Sequence, residues 1–489
     1  MVSKSASKEE YAGLKHPKSD FSKWFNEVIA KAELADLRYN AKGFLVHRPW
    51  SVTAMKAMYT LYEMELEKKG HLPVWFPAVI PEENFRKEGE HVKGFVPEVF
   101  WVTEHGAGER LTERLALRPT SETAMYRMYS LWIRSWRDLP LKLYQPCQVW
   151  RYETKSTRPF IRGREFHWIE AHDAFETRKE AENQVREDME MTENVMQRQF
   201  GIPFIFFRRP VWDKFAGAED TFAADTIMPD GKILQQPSTH LLGQNFSKPF
   251  RIKFKDKGGK EKTVWQTCYG PCIWRILASV IAQHGDDKGL IFPFSIAPVQ
   301  VVITPIGNSD SVKRKCGEIH SRLCRSCIRA LVDDSDKTPG WKFNQWEMKG
   351  VPLRLEVGPK EVQSGKYTLA RRDTGKKQLV PESKLVDTCK TSGEEITWSL
   401  IKSADAFFKK NIREAKDISS LSYALKKGGL VKMDFCSIDR KGEPCADIIK
   451  DKLHADVRGI RADKKEKPKG KCAVCGKKAG CVVYVGKEY

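Results

Sequence analysis

The stretch Tyr144 to Asp173, YQPCQVWRYETKSTRPFIRGREFHWIEAHD, admits few folds. Apolar and polar residues alternate on both sides of a short basic loop, as in two strands paired antiparallel, because strand side chains point alternately to opposite faces. Arg151 and Glu153 on the first strand are two apart and share a face, and Phe166, Trp168, Glu170 and His172 do so on the second. Arg158, Arg162 and Arg164 lie in or just after the connecting loop. A guanidinium suits a phosphate, since its planar fork donates two parallel hydrogen bonds and keeps its charge at every relevant pH. A solvated hairpin laced with ion pairs is the plainer explanation, but it gives no reason for Phe166, Trp168 and His172 to stand in register with the charges. The face is read as ligand-binding.

Composition sets the frame around that hairpin. At about 150 residues per domain, a chain of 489 residues holds roughly three compact units. Its 84 Lys+Arg against 64 Asp+Glu give a formal charge of +20, which favours a polyanionic partner, although solubility alone also explains such an excess. With 41% hydrophobic and 30% charged residues the chain is globular, and collagen, coiled coil and wholesale disorder are excluded. MVSKSASKEE has no apolar segment of secretory type, so a cytoplasmic location is expected. The uncharged stretch Leu290 to Ile306 contains Pro293, Pro298 and Pro305 and reads as a linker entering a buried strand, not a membrane span. Twelve cysteines in a reducing compartment point away from disulfides, and a cluster at ligand spacing would indicate a metal.

No repeat of domain scale is evident. From Tyr11 to about Phe292, amphipathic helices (Phe21 to Leu37, Trp50 to Lys69, Glu122 to Arg137, Lys179 to Phe200) alternate with strands such as Leu141 to Tyr152 and Phe166 to Phe175. From Pro298 a compact α/β unit follows. It has a strand Val299 to Ile306, a helix Ser311 to Leu331, a strand Val351 to Val357, a short helix after Gly358, a strand Tyr367 to Arg371 and a helix after about Ser392. The division is thus 1–293, 294–400 and a Cys- and Lys-rich extension over 401–489. Neither GxGxxG nor GxxxxGK[ST] occurs, which disfavours Rossmann and P-loop enzymes.

The hairpin and its surroundings resemble a class II aminoacyl-tRNA synthetase, specifically the prolyl-tRNA synthetase family of eukaryotic and archaeal-like type. RPTSE at Arg118 to Glu122, RYE with the loop ending FIRGREF at Arg151 to Phe166, and HWIEAHDAF at His167 to Phe175 look like that family's signature and motif 2. WFPAVIP at Trp75 to Pro81 looks like motif 1, which in the family builds the interface of a homodimer, and QTCYG at Gln266 to Gly270 with Arg275 looks like motif 3. The resemblance implies a multi-domain α/β fold. It has an antiparallel class II catalytic sheet flanked by helices, an α/β anticodon-binding domain and a small α/β C-terminal zinc-binding domain.

It also implies roles. Thr120 and Glu122 hold the substrate ammonium, and Arg151 bridges the proline carboxylate and the α-phosphate of ATP. Trp168, Glu170, His172 and Phe215 close around the proline ring, where an aromatic wall gains about 1 kcal/mol from a nearby ammonium. Adenine lies between Phe166 and Arg275, with Glu153 at its amino edge and Arg162 on the terminal phosphates. Gln235, Ser238 and His240 complete the ribose and proline contacts, the alternative being a polar strand edge. Proline activation with ATP and Mg²⁺, then transfer to tRNA, needs positioning and charge neutralisation more than a protein general base. The segment from Asp173 to Gln266 is too short for the editing domain of bacterial-type relatives. Motif 3 departs from the family: the spacing from Gly270 to Arg275 is one residue longer than usual, with Pro271, Cys272 and Ile273 in place of the expected small polar residues.

The second unit resembles the family's anticodon-binding domain most clearly in VGPKEVQSGKYTLARRDTGKK, which offers Lys360, Glu361, Arg371 and Arg372 for reading anticodon bases and phosphates, because single-stranded bases are splayed and bonded on their edges. Solvated strand charges are the alternative. Cys324 and Cys327 lie within the helix SRLCRSCIRALV without a second pair and read as ordinary thiols. In the tail, Cys436 and Cys445 precede CAVC at Cys472 and Cys475, two pairs that suit a tetrahedral structural zinc, with Cys481 as a substitute ligand and four free thiols as the alternative. Tyr489 ends the sequence as in the family, where the terminal carboxylate packs toward the catalytic domain. Two other readings compete: an idle paralogue kept as a regulatory module, and a zinc-containing structural RNA-binding protein. The joint presence of Thr120, Glu122, Arg151, Arg162 and Arg275 speaks against the first. The phased aromatic and acidic residues speak against the second.

Overall fold

The structure, a computed structural model, describes residues 12–89 and 98–489. The N-terminal segment read above for a signal lies outside the described residues. The first unit opens with helix α1 (Phe21–Lys31), whose buried Phe21, Trp24, Phe25, Val28 and Ile29 fall on one face at helical spacing. It stops short of the expected Leu37 because Glu33 takes a left-handed φ of 58° and Ala35–Asp36 turns into a short strand. Helix α2 (Pro49–Lys68) starts on a proline, which is pre-set for the first helical position. A three-stranded sheet of β2 (Val79–Pro81), β3 (Trp101–His105) and β4 (Glu109–Leu117) follows the short edge strand β1 (Leu72–Pro73). Helix α3 (Glu122–Trp132) also ends early: Ile133 is extended, and Ser135 with Asp138 caps a separate turn at Trp136–Asp138.

The central hairpin is β5 (Leu141–Trp150) against β6 (Glu165–Phe175), in a register that sets Gln145 opposite Glu170 and Cys147 opposite Trp168. Then come α4 (Arg178–Thr192), β7 (Ile205–Arg208), β8 (Asp220–Ile227), β9 (Ile233–Gly243), β10 (Trp265–Gly270) and α5 (Ile273–His284). Between β6 and β10 lie strands of this sheet, α4, a small two-stranded ribbon (Lys253–Lys255 with Glu261–Thr263) and short connecting pieces, and no separate editing domain is inserted there. One face of β6 is sealed: Ile169 and Ala171 are fully buried in the main core with Trp24, Tyr62, Tyr269 and Trp274. The alternate residues Phe166, Trp168, Glu170 and His172 face a cavity on the other side.

The second unit is a five-stranded sheet in the order β12-β11-β13-β14-β15, comprising β11 (Val301–Pro305), β12 (Ala330–Val332), β13 (Leu353–Val357), β14 (Lys366–Arg371) and β15 (Lys377–Pro381). Its helices are α6 (Asp310–Arg325), α7 (Pro339–Met348), α8 (Pro359–Ser364) and α9 (Leu385–Lys410). Two expectations change here. Helix α6 does not run to Leu331: Cys327 adopts a left-handed φ of 61°, Ile328 N donates back to Leu323 O, and 330–332 joins the sheet parallel to β11. Cys327 therefore lies beyond the helix. Helix α9 begins at Leu385 rather than near Ser392, because Leu385, Cys389, Ser392, Ile396 and Leu400 form one buried face.

The third unit holds β16 (Ile412–Ala415), α10 (Ile418–Lys426), β17 (Leu430–Phe435), α11 (Glu443–Leu453), β18 (Asp456–Arg461) and β19 (Cys481–Gly486). It is not a detached extension. β18 pairs with β7 through Ile460 and Arg208, giving one 11-stranded sheet ordered β16-β17-β19-β18-β7-β8-β9-β10-β6-β5-β1. Helix α9 also crosses the division expected at residue 400. No helix among the described residues is long and apolar enough to cross a membrane.

Candidate active site

The cavity in front of β6 encloses about 310 Å³ and is lined by every residue the sequence assigned to proline and ATP, from Thr120 and Glu122 to Arg275. Four of its residues form a row across the sheet: pairing sets His172 opposite Cys268, Cys268 opposite His240, and His240 opposite Thr221. Thr120 and Ser121 precede α3, so Glu122 opens that helix with its carboxylate at the positive end of the helix dipole.

At the floor lies Glu170, wholly enclosed. Its carboxylate accepts from Ser121 N (3.1 Å), Ser121 Oγ, Gln145 Nε2 (3.0 Å) and His172 Nε2 (3.2 Å). Burial pushes its pKa up, but the bond from His172, the His172 charge and the Ser121 hydroxyl outweigh that and hold it down to about 2. His172 is raised in turn: burial opposes its charge, while Glu170, Glu122 and Asp173 favour it. Both oxygens of Glu170 are thus bonded within the protein, and at the cavity wall this carboxylate fixes Ser121 and His172. Thr120 Oγ1 donates to Glu122. His240 lies 2.9 Å from Thr221 Oγ1 and 3.0 Å from Ser238 Oγ, with the Phe215 ring centroid 4.8 Å away. Burial, then the His172 and Arg209 charges, lower its pKa to about 3, so it is neutral.

Higher in the cavity the guanidiniums converge. Arg151, immediately after β5, donates from Nε to Pro119 O (3.0 Å) and sits 5.3 Å from the ring centroids of both Phe166 and Trp168. Its surface is open, but onto the cavity; desolvation and the Arg275 charge work against its own charge. Arg275, in the first turn of α5, reaches Ile161 O (3.3 Å) and Gln235 O (3.5 Å). Arg162 pairs with Glu153 at 3.8 Å and donates to the backbone oxygen of Tyr489. Phe166 and Arg275, expected on either side of adenine, both line the cavity, and the cation over the Phe166 ring here is Arg151. The loop tip leaves no room for a side chain at Gly163, where an added Cβ would stand 2.6 Å from Trp274. Several cations sharing one pocket repel one another, and an oligophosphate relieves that repulsion.

Comparison with known proteins agrees with this geometry. The model of the class II tRNA synthetase core (G, H, P, S and T types) matches residues 100–284, that of the anticodon binding domain 300–392, and that of the prolyl-tRNA synthetase C-terminal domain 419–489. A proline–tRNA ligase of Thermofilum pendens is 55% identical over 96% of this chain and 98% of its own length, and one of Pyrococcus horikoshii is 43% identical with the same coverage. The chain belongs to the prolyl-tRNA synthetase family. Among solved structures, a Giardia lamblia prolyl-tRNA synthetase in complex with prolyl-adenylate superposes with a TM-score of 0.92 at 36% identity, covering 98% of this chain and 100% of that one. The Cryptosporidium parvum prolyl-tRNA synthetase complexed with halofuginone and AMPPNP gives 0.91 at 34%, covering 98% and 99%.

For this family member the sequence missed one network. Arg209, on the cavity wall, donates to Asp225 at 2.7 and 2.9 Å and to Gln235 Oε1 at 3.3 Å. From the third unit, Arg458 grips the same Asp225 at 2.8 and 3.1 Å and also donates to Glu488. All of Arg209, Asp225 and Arg458 are buried. No signal in the sequence joins them, since Asp225 and Arg458 are remote along the chain; only WDKFAGAE, which carries Asp213 and Lys214 beside Phe215, pointed at this wall.

The anticodon candidates fare unevenly. Arg372 is closed off, donating to Asp286 at 2.6 and 2.8 Å and to Glu347 O at 3.0 Å. It ties the second unit to the catalytic unit and has no free edge for a base. Arg371 pairs with Asp373 at 2.9 Å and with Glu395. Glu361 accepts from Gly358 N at 3.0 Å, capping α8. Lys360 alone of the four is exposed without such a partner among the described residues.

The tail cysteines do converge. One Sγ each from Cys436, Cys445, Cys472 and Cys475 lies within 4.8 Å of all the others. Cys436 follows β17, Cys445 sits in the first turn of α11 rather than on a loop, and Cys472 and Cys475 share a turn closed by Gly476 N to Cys472 O. Cys481 stands outside this group, its Sγ 3.6 Å from Phe435 O.

Proposed function

We propose that this chain, a proline–tRNA ligase by family, activates proline with ATP and transfers it to tRNA through the cavity in front of β6. The observation that carries the reading is Arg151. Its guanidinium makes one hydrogen bond among the described residues, opens onto the cavity, and feels the charges of both Glu122 and Arg275. Proline enters with its ammonium toward Thr120 and Glu122 and its ring among Trp168, His172, Phe215, Ser238 and His240, held against the neutral face of His240. ATP, accompanied by Mg²⁺ as its counter-ion, lies along Glu153, Arg162, Phe166, Gln235 and Arg275. One carboxylate oxygen of proline attacks the α-phosphorus, the bond to the pyrophosphate oxygen breaks, and Arg151 neutralises charge on the carboxylate before attack and on the α-phosphoryl oxygens during it. The terminal ribose hydroxyl of tRNA then attacks the prolyl carbonyl, and AMP leaves. Arg209 holds Gln235, so the third unit buttresses the ATP side through Asp225 and Arg458.

Three further readings belong to this proposal. The four tail cysteines hold a structural Zn²⁺, because a sulfur-only donor set with mutually adjacent atoms is the closed tetrahedral kind. The chain forms a homodimer through the motif 1 side, where Leu72 and Trp75 are 63% and 85% exposed, large apolar surfaces that a soluble monomer rarely leaves open. It works in the cytoplasm with tRNA for proline, Lys360 among its anticodon contacts. Charging of tRNA bearing a proline anticodon with labelled proline tests the whole: ATP-dependent formation of alkali-labile prolyl-tRNA is expected, and its absence with correctly folded protein refutes the proposal.

A further inference from the structure

We infer that Glu122, His172 and Cys268 form a second metal site, one that binds Zn²⁺ or a similar soft divalent cation in place of proline, so that free Zn²⁺ competes with the amino acid. The inference rests on the reading that places the proline ammonium against Glu122. His172 and Cys268 are directly opposed on the paired strands β6 and β10, and Glu122 opens α3 beside them. One donor atom from each lies within 4.8 Å of the other two. The residues are 1%, 5% and 3% exposed, and all three line the cavity.

Donors around a tetrahedral zinc, with bonds of about 2.0 to 2.3 Å, stand roughly 3.3 to 3.8 Å apart, so displacements of about 1 Å complete the set. A carboxylate, an imidazole and a thiolate together select Zn²⁺ or Co²⁺, whereas Mg²⁺ prefers oxygen alone. The fourth position faces the cavity, as in zinc sites that keep an open coordination place. Support for the imidazole is already built. Tyr126 Oη lies 3.1 Å from Nδ1 and Glu170 Oε2 lies 3.2 Å from Nε2, so whichever nitrogen takes the metal, the other keeps an oxygen partner that fixes the ring. On binding, the Cys268 proton leaves to solvent, and the carboxylate and thiolate neutralise the ion. A pocket shaped for a cation thus accepts either of two, and not both. This site is separate from the four cysteines of the third unit, which offer no oxygen, no nitrogen and no substrate cavity.

The test adds Co²⁺ to full-length protein whose tail cysteines are already zinc-loaded. One further equivalent should bind with a sulfur-to-cobalt charge-transfer band, proline but not glycine should discharge it, and Cys268→Ser should abolish it while Cys327→Ser leaves it intact. In charging assays, added Zn²⁺ should raise the apparent KM for proline without lowering kcat, and Cys268→Ser should need about 10-fold more Zn²⁺ for the same effect. Absence of the extra band, or its survival in Cys268→Ser, overturns the inference while leaving the proline-activating reading intact. A Cys268-dependent band that proline fails to discharge overturns the competition and counts against proline lying at Glu122. Should Cys268→Ser not fold, discharge by proline in the parent protein decides.

Discussion

Arg151 and Arg372 each follow the last residue of a strand directly, yet the structure uses them in opposite ways. The Arg151 guanidinium has one hydrogen bond among the described residues and opens onto the cavity. Arg372 spends its fork on both oxygens of Asp286 and its Nε on Glu347 O, and is closed to solvent. Both sat in motifs read as binding polyanions. On the proposed function, a guanidinium with spare donors in a cavity serves as a ligand group, and one whose three nitrogens are each engaged within the protein serves as a strut. A milder form of the contrast separates two carboxylates of the cavity, Glu122, which accepts from Thr120, and Glu170, whose oxygens are engaged by Ser121, Gln145 and His172.

The contrast is broken or sharpened by substitution. Arg151→Ala should lower proline-dependent activation about 10³-fold, the scale of losing a donor to developing charge, with the melting temperature nearly unchanged. Asp286→Ala should do the reverse. Leaving the Arg372 charge buried and unpaired costs about 2 to 3 kcal/mol of stability, below the usual range because Asp286 itself is 42% exposed in its side chain, while activation per folded molecule persists. If Asp286→Ala abolished activation without destabilising the fold, the strut and the ligand group would have been confused.

A titration sharpens the picture from behind the sheet. Asp188 is buried under β9, accepts from Gln184 Nε2 (2.7 Å) and Thr239 Oγ1 (2.6 Å), and its pKa is pushed up to about 7 by burial and then by the Asp173 charge. A carboxyl with a folded pKa above its unfolded one binds the extra proton in the folded state. Its contribution to stability is therefore full below the unfolded value of 3.8 and is lost as pH rises through about 7. Unfolding free energy measured from pH 5 to 8 should fall by up to about 1.4 kcal/mol per pH unit from this group, and Asp188→Asn should flatten that slope. The smallest effect is expected at Lys360→Ala, which, with this ammonium on an anticodon-loop phosphate, should weaken tRNA binding alike for all sequences and reduce the salt dependence by about 0.7 in the log–log slope.

Much of the catalytic cavity was legible because β6 alternates strictly, so Phe166, Trp168, Glu170 and His172 had to share one face once Ile169 and Ala171 entered the core. Which of them keeps a free edge was not legible, because that depends on Ser121 and Gln145, which reach Glu170 from other elements. Helix ends failed where a single backbone angle decides, as at Cys327, whose left-handed φ stops a helix that apolar spacing alone would continue to Leu331. The joining of the third unit to the catalytic sheet was hidden for a different reason. Edge pairing between Ile460 and Arg208 leaves no mark on either strand's own pattern, and the buried Asp225 that serves both Arg209 and Arg458 draws its partners from remote parts of the chain.

The central claim, that the cavity in front of β6 activates proline, is tested most directly by amino-acid-dependent exchange of labelled pyrophosphate into ATP in the absence of tRNA. The account predicts exchange that depends on proline and is weaker with alanine, since a pocket discriminates against each missing methylene by about 1 to 3 kcal/mol. Exchange supported by threonine or by no amino acid, with none from proline, would contradict it.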